Sequence, residues 1–194
     1  IAFYRLGVNK IKHFDLSFEH VKKMNDFINK KKLHEKITSE CADLVTYKLA
    51  SEYYDLVYLN GIVHHFSNTG IGLLNCMNAI KKNGYLNLYF YRAGTFIKFL
   101  VFMIRDLIKD HKKIDEYFLN SILFFSEKIK PNFKVSSLMD NFFVPHINLY
   151  TTSTYISFIN DSGFEIISSS KIDPIGRDID HQFAHESVIL TCKR

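Results

Sequence analysis

Apolar and polar positions alternate between two kinds of segment along this chain. Short apolar runs with the character of buried strands cover Ile11–Asp15, Tyr54–Leu59 and Tyr85–Phe90. Each run is followed by a stretch whose apolar residues recur at about every third or fourth position, which is the spacing of a helix face. Strands that alternate with helices in this way are typical of a mostly parallel sheet covered by helices on both faces. The pattern therefore predicts an α/β fold.

The first part of the chain is predicted to contain a helix and then a strand–helix–strand unit. Residues 1–6 have helical character, and Gly7 occupies the position where a helix commonly ends. Ser17 is placed to cap a helix after the first strand. That helix has its apolar positions at Phe18, Val21, Met24 and Ile28, and Lys36–Cys41 is a weakly patterned strand behind it.

The most informative stretch is Tyr54 to Phe66, an apolar strand that runs into a polar tip. The tip carries an amide, a glycine and two adjacent histidines, which are Asn60, Gly61, His64 and His65. In open α/β sheets ligands bind just beyond the carboxyl ends of the strands. These residues are therefore candidates for a functional site.

This stretch and the segment after it resemble the class I S-adenosylmethionine-dependent methyltransferases. In that family a strand that begins with an aspartate, here Asp55, ends in a polar catalytic tip. A helix, a Lys-Pro-Gly-Gly-like turn and a further strand then follow, and here a helix to Ile80 leads into Lys82-Asn83-Gly84 and Tyr85–Phe90. Asn83 departs from the proline or glycine that is usual in the turn. The resemblance implies a Rossmann-like sheet and S-adenosyl-L-methionine as the cofactor.

Two aspartates at predicted strand ends match the positions that bind the cofactor in this family. The resemblance implies that Asp15 accepts hydrogen bonds from the ribose hydroxyls and that Asp43 accepts one from the adenine amino group. Without the resemblance, Asp15 would start a helix and Asp43 would be a turn residue. The whole set expected to bind the cofactor is Asp15, Leu16, Asp43, Leu44, Asn60, Gly61 and His65.

The paired histidines are the candidate catalytic residues. Methyl transfer from a sulfonium depends on positioning, and it needs a base only where the acceptor has a proton to lose. His64 and His65 lie beside the expected methyl group, and histidine suits the role of a base near neutral pH. The alternative is that one of them packs in the core or fixes the loop. The residues expected to bind the acceptor are Tyr91, Arg92, Phe143, His146 and Tyr150.

Residues 95–140 are predicted to form a helical lid inserted after the strand that ends at Phe90. One helix face would carry Phe96, Phe99, Leu100, Met103 and Leu107, and a second helix would lie around residues 114–125. After the lid, Thr152 is placed to cap a helix that Gly163 ends. The strands Phe164–Ser168 and Ser187–Cys192 would then close the sheet as an antiparallel pair.

The glycine-rich loop that holds the methionine end of the cofactor in the family has no match in this sequence. The chain opens with Ile1 and not with methionine, and residues 1–7 resemble the end of the helix that follows that loop. The expectation is therefore a single methyltransferase domain over residues 1–194 that lacks its first strand and its glycine loop.

Composition bears on the size of the core, the redox compartment and metal binding. The 194 residues are 47% apolar, which is enough to fill one core. Cys41, Cys76 and Cys192 show no metal-ligand spacing, so we expect buried thiols in a reduced, cytoplasmic protein. The looser cluster of Asp178, Asp180, His181 and His185 is expected to be a solvated or acceptor-contacting loop, so no metal is expected.

Charge and hydropathy bear on the partners. The net charge of +5 is spread along the chain, so we expect no nucleic-acid partner. The most apolar segment, residues 96–108, is too short to span a bilayer and contains charged residues, so we expect no stable membrane insertion. The expected partner is a small-molecule acceptor, and the expected state is a monomer or homodimer.

The functional prediction is methyl transfer from S-adenosylmethionine to a small molecule, with oxygen, nitrogen and carbon acceptors all open. Three alternatives stay beside it. The first is a non-catalytic interaction module with a degenerate methyltransferase fold. The second is a nicotinamide-dependent oxidoreductase, which would share Asp15. The third is an RNA methyltransferase, which would need clustered surface lysines and arginines.

Overall fold

The computed structural model describes residues 2–94, 96–108, 120–121, 124, 144–172 and 187–194. The chain forms two compact units, Ile1–Ala50 and Ser51–Arg194, and each unit has its own sheet.

The first unit is built on two parallel strands with one long helix between them. Its elements are α1 (Ala2–Arg5), β1 (Ile11–Asp15), α2 (Phe18–Lys30) and β2 (Ile37–Cys41). The two strands pair in register from Ile11 opposite Ile37 to Asp15 opposite Cys41. Gly7, with φ of 85°, follows the first helix in the left-handed conformation that glycine adopts most easily. All four elements were predicted.

Helix α2 begins as predicted but buries a narrower face. The Ser17 hydroxyl accepts a hydrogen bond from the backbone N–H of His20 at 3.4 Å. Val21 and Ile28 are buried, whereas Phe18 is 68% exposed, which corrects its assignment to the apolar face. At 100° per residue Phe18 lies about 80° around the helix from Ile28, at the margin of the buried stripe.

The second unit contains a four-stranded mixed sheet. Its elements are β3 (Tyr54–Asn60), a 3₁₀ turn (Val63–His65), α3 (Thr69–Asn78), β4 (Ile80–Tyr91), α4 (Phe96–Ile108), α5 (Thr152–Asp161), β5 (Glu165–Ile172) and β6 (Ser187–Lys193). The strand order is β3-β4-β6-β5, with β3 and β4 parallel and β6 antiparallel to both of its neighbours. This arrangement confirms the predicted α/β sheet with an antiparallel carboxyl-terminal strand pair.

Strand β4 starts earlier than predicted. The expected turn before Tyr85 is instead a bulge inside the strand, because β4 advances from Ile80 to Tyr85 while β3 advances only from Tyr54 to Leu56. Asn83 takes up the extra length with φ of 64°, a conformation that asparagine tolerates better than most residues. Residues 81–84, which the sequence predicts as a turn before the strand, are therefore a bulge within β4.

Helix α5 packs on the buried face of β4. The rings of Phe90 and Tyr155 lie 4.0 Å apart between centroids, and Ile159 is fully buried one turn further along the helix. The helix cap is Thr151 and not Thr152 as predicted, since the Thr151 hydroxyl accepts the N–H of Thr154 at 3.1 Å. Gly163 ends the helix as predicted, with φ of 83°.

The first lid helix exists as α4, but its buried face differs from the prediction. Phe99 and Met103 are 58% and 49% exposed, whereas Lys98 and Val101 are buried. Lys98, Val101 and Arg105 share one face of the helix. Contacts of Lys98 with Tyr91 and of Arg105 with Val144 hold that face inward. In the rest of the predicted lid, residues 109–119, 122–123 and 125–140 lie outside the described residues, as does the loop 173–186.

Two of the three predicted buried thiols are buried. Cys76 and Cys192 are inside the second unit, whereas Cys41 is exposed. Cys41 is the last residue of β2, where its thiol donates to the carbonyl of Leu16 at 3.4 Å. The end of a two-stranded sheet leaves this side chain open to water.

Among the described helices none is long and apolar enough to cross a membrane.

Candidate active site

The first unit brings its two candidate aspartates to one edge of its sheet. Asp15 ends β1, and Asp43 follows β2 by two residues. Because the strands are parallel, both positions lie at the carboxyl edge, where the N–H of Ala42 also donates to the carbonyl of Asp15 at 3.1 Å. This is the edge at which ligands bind in parallel sheets.

The carboxylate of Asp15 helps to start helix α2 and retains hydrogen-bond acceptor positions for a ligand. Its Oδ1 accepts the backbone N–H of Ser17 at 2.8 Å, and its Oδ2 lies 3.4 Å from Nδ1 of His20. A carboxylate has about four acceptor positions, so two hydroxyl groups can still be accepted. The helix-starting role and a ribose-binding role are therefore compatible in this geometry.

Asp43 closes a turn in the same manner. Its Oδ1 accepts the backbone N–H of Val45 at 2.9 Å, which leaves Oδ2 able to accept from an amino group. The two leucines that follow the aspartates differ in exposure, because Leu16 is 72% exposed and Leu44 is buried. Leu16 can cover the apolar face of a ligand, whereas Leu44 packs in the interior of its unit. This edge therefore offers a ligand the remaining acceptor positions of two carboxylates and one exposed leucine side chain.

In the second unit the tip of β3 turns sharply at a glycine. Asn60 is the last residue of the strand, and Gly61 follows with φ of 71°. The N–H of Gly61 donates to the carbonyl of Tyr89 on β4 at 3.0 Å, so the turn is tied to the neighbouring strand. A positive φ at this position favours glycine. The turn leads directly into the 3₁₀ turn that bears the two histidines.

His64 is buried and structurally fixed. Its Nδ1 accepts the backbone N–H of Tyr91 at 3.3 Å, and its ring stacks on the Tyr91 ring with centroids 4.2 Å apart and planes at 28°. A nitrogen that accepts a hydrogen bond carries no proton, so the neutral ring of His64 is protonated on Nε2. This corresponds to the alternative in which one histidine packs in the core.

His65 has the opposite tautomer. Its Nδ1 lies 2.9 Å from the backbone carbonyl of His146, and a carbonyl can only accept, so Nδ1 carries the proton. The lone pair of the neutral ring is then on Nε2. The rings of His64 and His65 lie 4.1 Å apart between centroids at 60°. The backbone thus assigns the two neighbouring histidines different chemical roles.

Residues Val144–Tyr150, here called the strap, run across the ends of β3 and β4. Asn148 donates its N–H to the carbonyl of His64 at 2.8 Å and its side-chain amide to the carbonyl of Phe66 at 2.7 Å. At the far end the N–H of Ala93 donates to the carbonyl of Tyr150 at 2.9 Å, beside a bridge between Arg92 and Tyr150. The strap therefore holds the histidine turn and the tip of β4 together.

Helix α4 holds the near end of the strap. The guanidinium of Arg105 donates to the carbonyl of Val144 at 2.7 Å. Burial lowers the pKa of Arg105, and the neighbouring Asp106 opposes that shift. The guanidinium remains charged at any physiological pH, so this hydrogen bond is charge-assisted and among the stronger ones in the unit.

Lys98 is the site residue that the sequence prediction missed. Its side chain is 1% exposed, and its ammonium lies 3.9 Å from the centre of the Tyr91 ring, the same ring that stacks on His64. Such a cation–π contact contributes about 0.5–2 kcal/mol. The available signal was a lone lysine at a core-facing position of an apolar helix, which is rare unless the charge has a specific contact.

The structure brings together several of the predicted acceptor-binding residues. Tyr91 contacts His64 directly, Arg92 pairs with Tyr150, and His146 orients His65 through its backbone and not through its ring. The side chains of His146 and Tyr150 are exposed. Phe143 lies outside the described residues. Within the described ranges no group of three or more His, Cys, Asp or Glu side chains could hold a metal ion.

The chain matches a known domain family over its first half and known folds over nearly its whole length. Residues 1–88 match the family described as a methyltransferase domain. No curated protein matches. Among solved structures, an S-adenosylmethionine-dependent methyltransferase from Mesorhizobium loti is 16% identical, with a TM-score of 0.56 over 96% of this chain and 81% of that chain.

Two further solved structures are similar. The YcgJ protein from Bacillus subtilis is 11% identical, with a TM-score of 0.58 over 96% of this chain and 82% of that chain. The [4+2]-cyclase SpnF is 10% identical, with a TM-score of 0.59 over 95% of this chain, which spans 66% of the cyclase. At such identities the likeness shows the fold, and a fold does not by itself fix the reaction.

The family match over residues 1–88 and the shared fold agree with the resemblance seen in the sequence. Residues 1–88 are similar to a methyltransferase domain, and the chain has the fold of a solved S-adenosylmethionine-dependent methyltransferase. The match to a methyltransferase domain implies S-adenosyl-L-methionine as the cofactor, which agrees with the prediction.

Proposed function

We propose that this domain methylates a small-molecule acceptor that has a dissociable proton, with His65 as the base. The observation that carries the proposal is the hydrogen bond from His65 Nδ1 to the carbonyl of His146, because it puts the lone pair of the ring on Nε2. A base must offer a lone pair to the proton that it removes. His64 accepts from Tyr91 with its Nδ1 and is fully buried, so its proposed role is to support the site.

In the first unit, the proposed contacts are with the nucleoside part of the cofactor. Asp15 would accept the ribose hydroxyls, Asp43 would accept the adenine amino group, and Leu16 would cover the apolar face of the nucleoside. The free acceptor positions on both carboxylates and the exposure of Leu16 support these roles. Leu44, which is buried, would act by packing behind the loop and not by direct contact.

In the second unit, the proposed cofactor-binding residues are Asn60 and Gly61, and the proposed base is His65. Asn60 and Gly61 form the tip of β3, and the positive φ of Gly61 lets the backbone turn without a Cβ that would crowd a ligand. When bound, the cofactor supplies an electrophilic methyl group on a positively charged sulfur. As the acceptor gains that methyl group, His65 Nε2 takes the proton that the acceptor loses, and the ring becomes an imidazolium that still donates to His146.

Among the described residues, the acceptor would lie against Tyr91, Arg92 and the strap. Tyr91 is held on its ring by His64 and Lys98 and on its backbone N–H by His64. A wall fixed by three contacts can position an acceptor within the small tolerance that in-line displacement allows. The exposed side chains of His146 and Tyr150 lie on the strap, where they could set acceptor specificity.

The test is transfer of labelled methyl groups by the full-length protein. Purified protein is incubated with methyl-labelled S-adenosylmethionine and, separately, with the small-molecule and RNA fractions of a cell extract. We expect label in small molecules and formation of S-adenosylhomocysteine that depends on that fraction. A His65→Gln variant should bind the cofactor but transfer at least about 100-fold more slowly to the same acceptor.

Three other outcomes would contradict the proposal in whole or in part. Label found only in RNA would identify an RNA methyltransferase. Cofactor binding with no transfer to either fraction would favour the non-catalytic interaction module. Transfer to small molecules that is unchanged in the His65→Gln variant would keep the reaction and remove His65 as its base.

A further inference from the structure

We infer that Asn148 is a positioning residue, which holds the proton of His65 on Nδ1 by docking the strap onto the histidine turn. The catalytic consequence of this inference rests on the proposed function, but the position of the proton does not. Asn148 is absent from the residues that the sequence marked as functional, and no side-chain contact with a ligand is assigned to it.

The two hydrogen bonds of Asn148 lie on either side of His65. Its backbone N–H donates to the carbonyl of His64 at 2.8 Å, and its side-chain amide donates to the carbonyl of Phe66 at 2.7 Å. His146, two residues before Asn148, presents the carbonyl that receives His65 Nδ1 at 2.9 Å. Asn148 therefore ties the strap to the histidine turn on both sides of His65, two residues away from the carbonyl that selects its tautomer.

The turn to which Asn148 binds is itself rigid. Phe66 is 8% exposed and packs so closely on helix α3 that a Cβ at Gly72 would lie 2.5 Å from its ring. His64 is fully buried and stacked on Tyr91. The turn therefore serves as the fixed reference onto which Asn148 docks the middle of the strap, between the ends that Arg105 and Ala93 hold.

Loss of the amide donor should release the tautomer. Without the bond to Phe66 the strap keeps the backbone bond to His64 but loses its second contact across His65. The carbonyl of His146 is then held less firmly, and the proton of His65 can move to Nε2. A ring protonated on Nε2 has its lone pair on the wrong nitrogen to act as the proposed base.

Two variants of Asn148 distinguish the effect of its amide donor from the effect of its side-chain volume. Asn148→Asp keeps the shape but replaces the donor with an acceptor, which would face the carbonyl of Phe66. Asn148→Ala removes the side chain beyond Cβ. The matched control is Asn160→Ala, which removes an exposed amide from the last turn of α5.

The measurement is nitrogen NMR of the full-length protein labelled with ¹⁵N-histidine, at a pH where the rings are neutral and without cofactor or acceptor. In the unsubstituted protein we expect His64 to be protonated on Nε2 and His65 on Nδ1, as distinct long-range proton–nitrogen patterns. In both Asn148 variants the His65 nitrogens should move toward shifts averaged between the two tautomers, while the His64 pattern and the control protein stay unchanged.

Two results would overturn the inference. One is a His65 ring protonated on Nε2 in the unsubstituted protein. The other is an unchanged His65 pattern in folded Asn148→Asp, with folding checked by the dispersion of the amide spectrum. If Asn148→Ala fails to fold, the isosteric Asn148→Asp variant decides alone. Because no methyl transfer is measured, failure of this inference and failure of the proposed reaction are seen in different experiments.

Discussion

The Nδ1–H of His65 donates to the backbone carbonyl of His146, 2.9 Å away, across 81 residues of sequence. The neighbouring His64 uses the same ring nitrogen as an acceptor, from the N–H of Tyr91. The local sequence does not distinguish the two histidines. Their tautomers differ because the Nδ1 of His65 faces a carbonyl and the Nδ1 of His64 faces an N–H, each from a distant part of the chain.

A substitution that keeps the acceptor role of His64 Nδ1 should therefore be tolerated better than one that removes it. His64→Asn places an amide oxygen near the position of Nδ1, so it can still accept the N–H of Tyr91 and should keep measurable methyl transfer. His64→Leu leaves that buried N–H without its partner and should cost about 1–3 kcal/mol of unfolding free energy. Urea unfolding of both variants measures the difference, and equal stabilities would contradict the role assigned to His64.

The cofactor edge of the first unit gives a binding prediction. Asp15→Asn replaces a charged acceptor by an amide and should weaken the binding of S-adenosylhomocysteine about 10- to 100-fold, the loss of about 1.5–3 kcal/mol for a hydrogen bond to a charged group. Asp26→Asn on the exposed side of α2 is the matched control and should leave the affinity unchanged. Equal affinities of the Asp15 and Asp26 variants would remove Asp15 from the site.

Close packing of Phe66 against α3 gives a stability prediction. A Cβ at Gly72 would lie 2.5 Å from the Phe66 ring, so Gly72→Ala should lower the free energy of unfolding by about 1–3 kcal/mol. Gly70→Ala in the same helix meets its nearest neighbour at 3.6 Å, an ordinary contact, and should be neutral or stabilise by up to about 1 kcal/mol. Thermal unfolding of the pair decides, and equal effects would show that Phe66 yields easily.

Thiol reactivity should follow burial. Desolvation raises the pKa of Cys76 to about 12 and that of Cys192 to about 11. At pH 8 their thiolate fractions are therefore about 10⁻⁴ and about 10⁻³, and both groups are shielded from reagents. Ellman's reagent should report one fast thiol in the native protein, the exposed Cys41, and three after denaturation. A Cys41→Ser variant should lose the fast phase, and a fast phase that persists would contradict the burial of the other two.

Predictions from sequence succeeded where structure depends on neighbours in the chain. Strand β1, the Ser17 cap and the glycine that ends α5 follow from alternation, capping chemistry and a positive φ, all of which are local properties. The tip of β3 was located for the same reason. The family resemblance added the cofactor, which no local pattern could have supplied.

The errors arose where distant residues decide the outcome. Periodicity gave α4 the wrong buried face, because the contact of Lys98 with Tyr91 outweighs the apolar character of Phe99. Cys41 was expected to be buried because it lies in a strand, but that strand ends at the open edge of a two-stranded sheet. The strap was assigned no backbone role, because its bonds to the histidine turn join segments about 80 residues apart.

The most direct test of the central claim is titration calorimetry of the full-length protein with S-adenosylhomocysteine, the product of the proposed reaction. We predict saturable binding of one molecule per chain, weakened by Asp15→Asn and unchanged by Asp26→Asn. A Kd of about 1 mM corresponds to a binding free energy of about 4 kcal/mol. If circular dichroism shows that the protein is folded, the absence of any heat of binding at about 1 mM ligand would contradict the assignment of this cofactor.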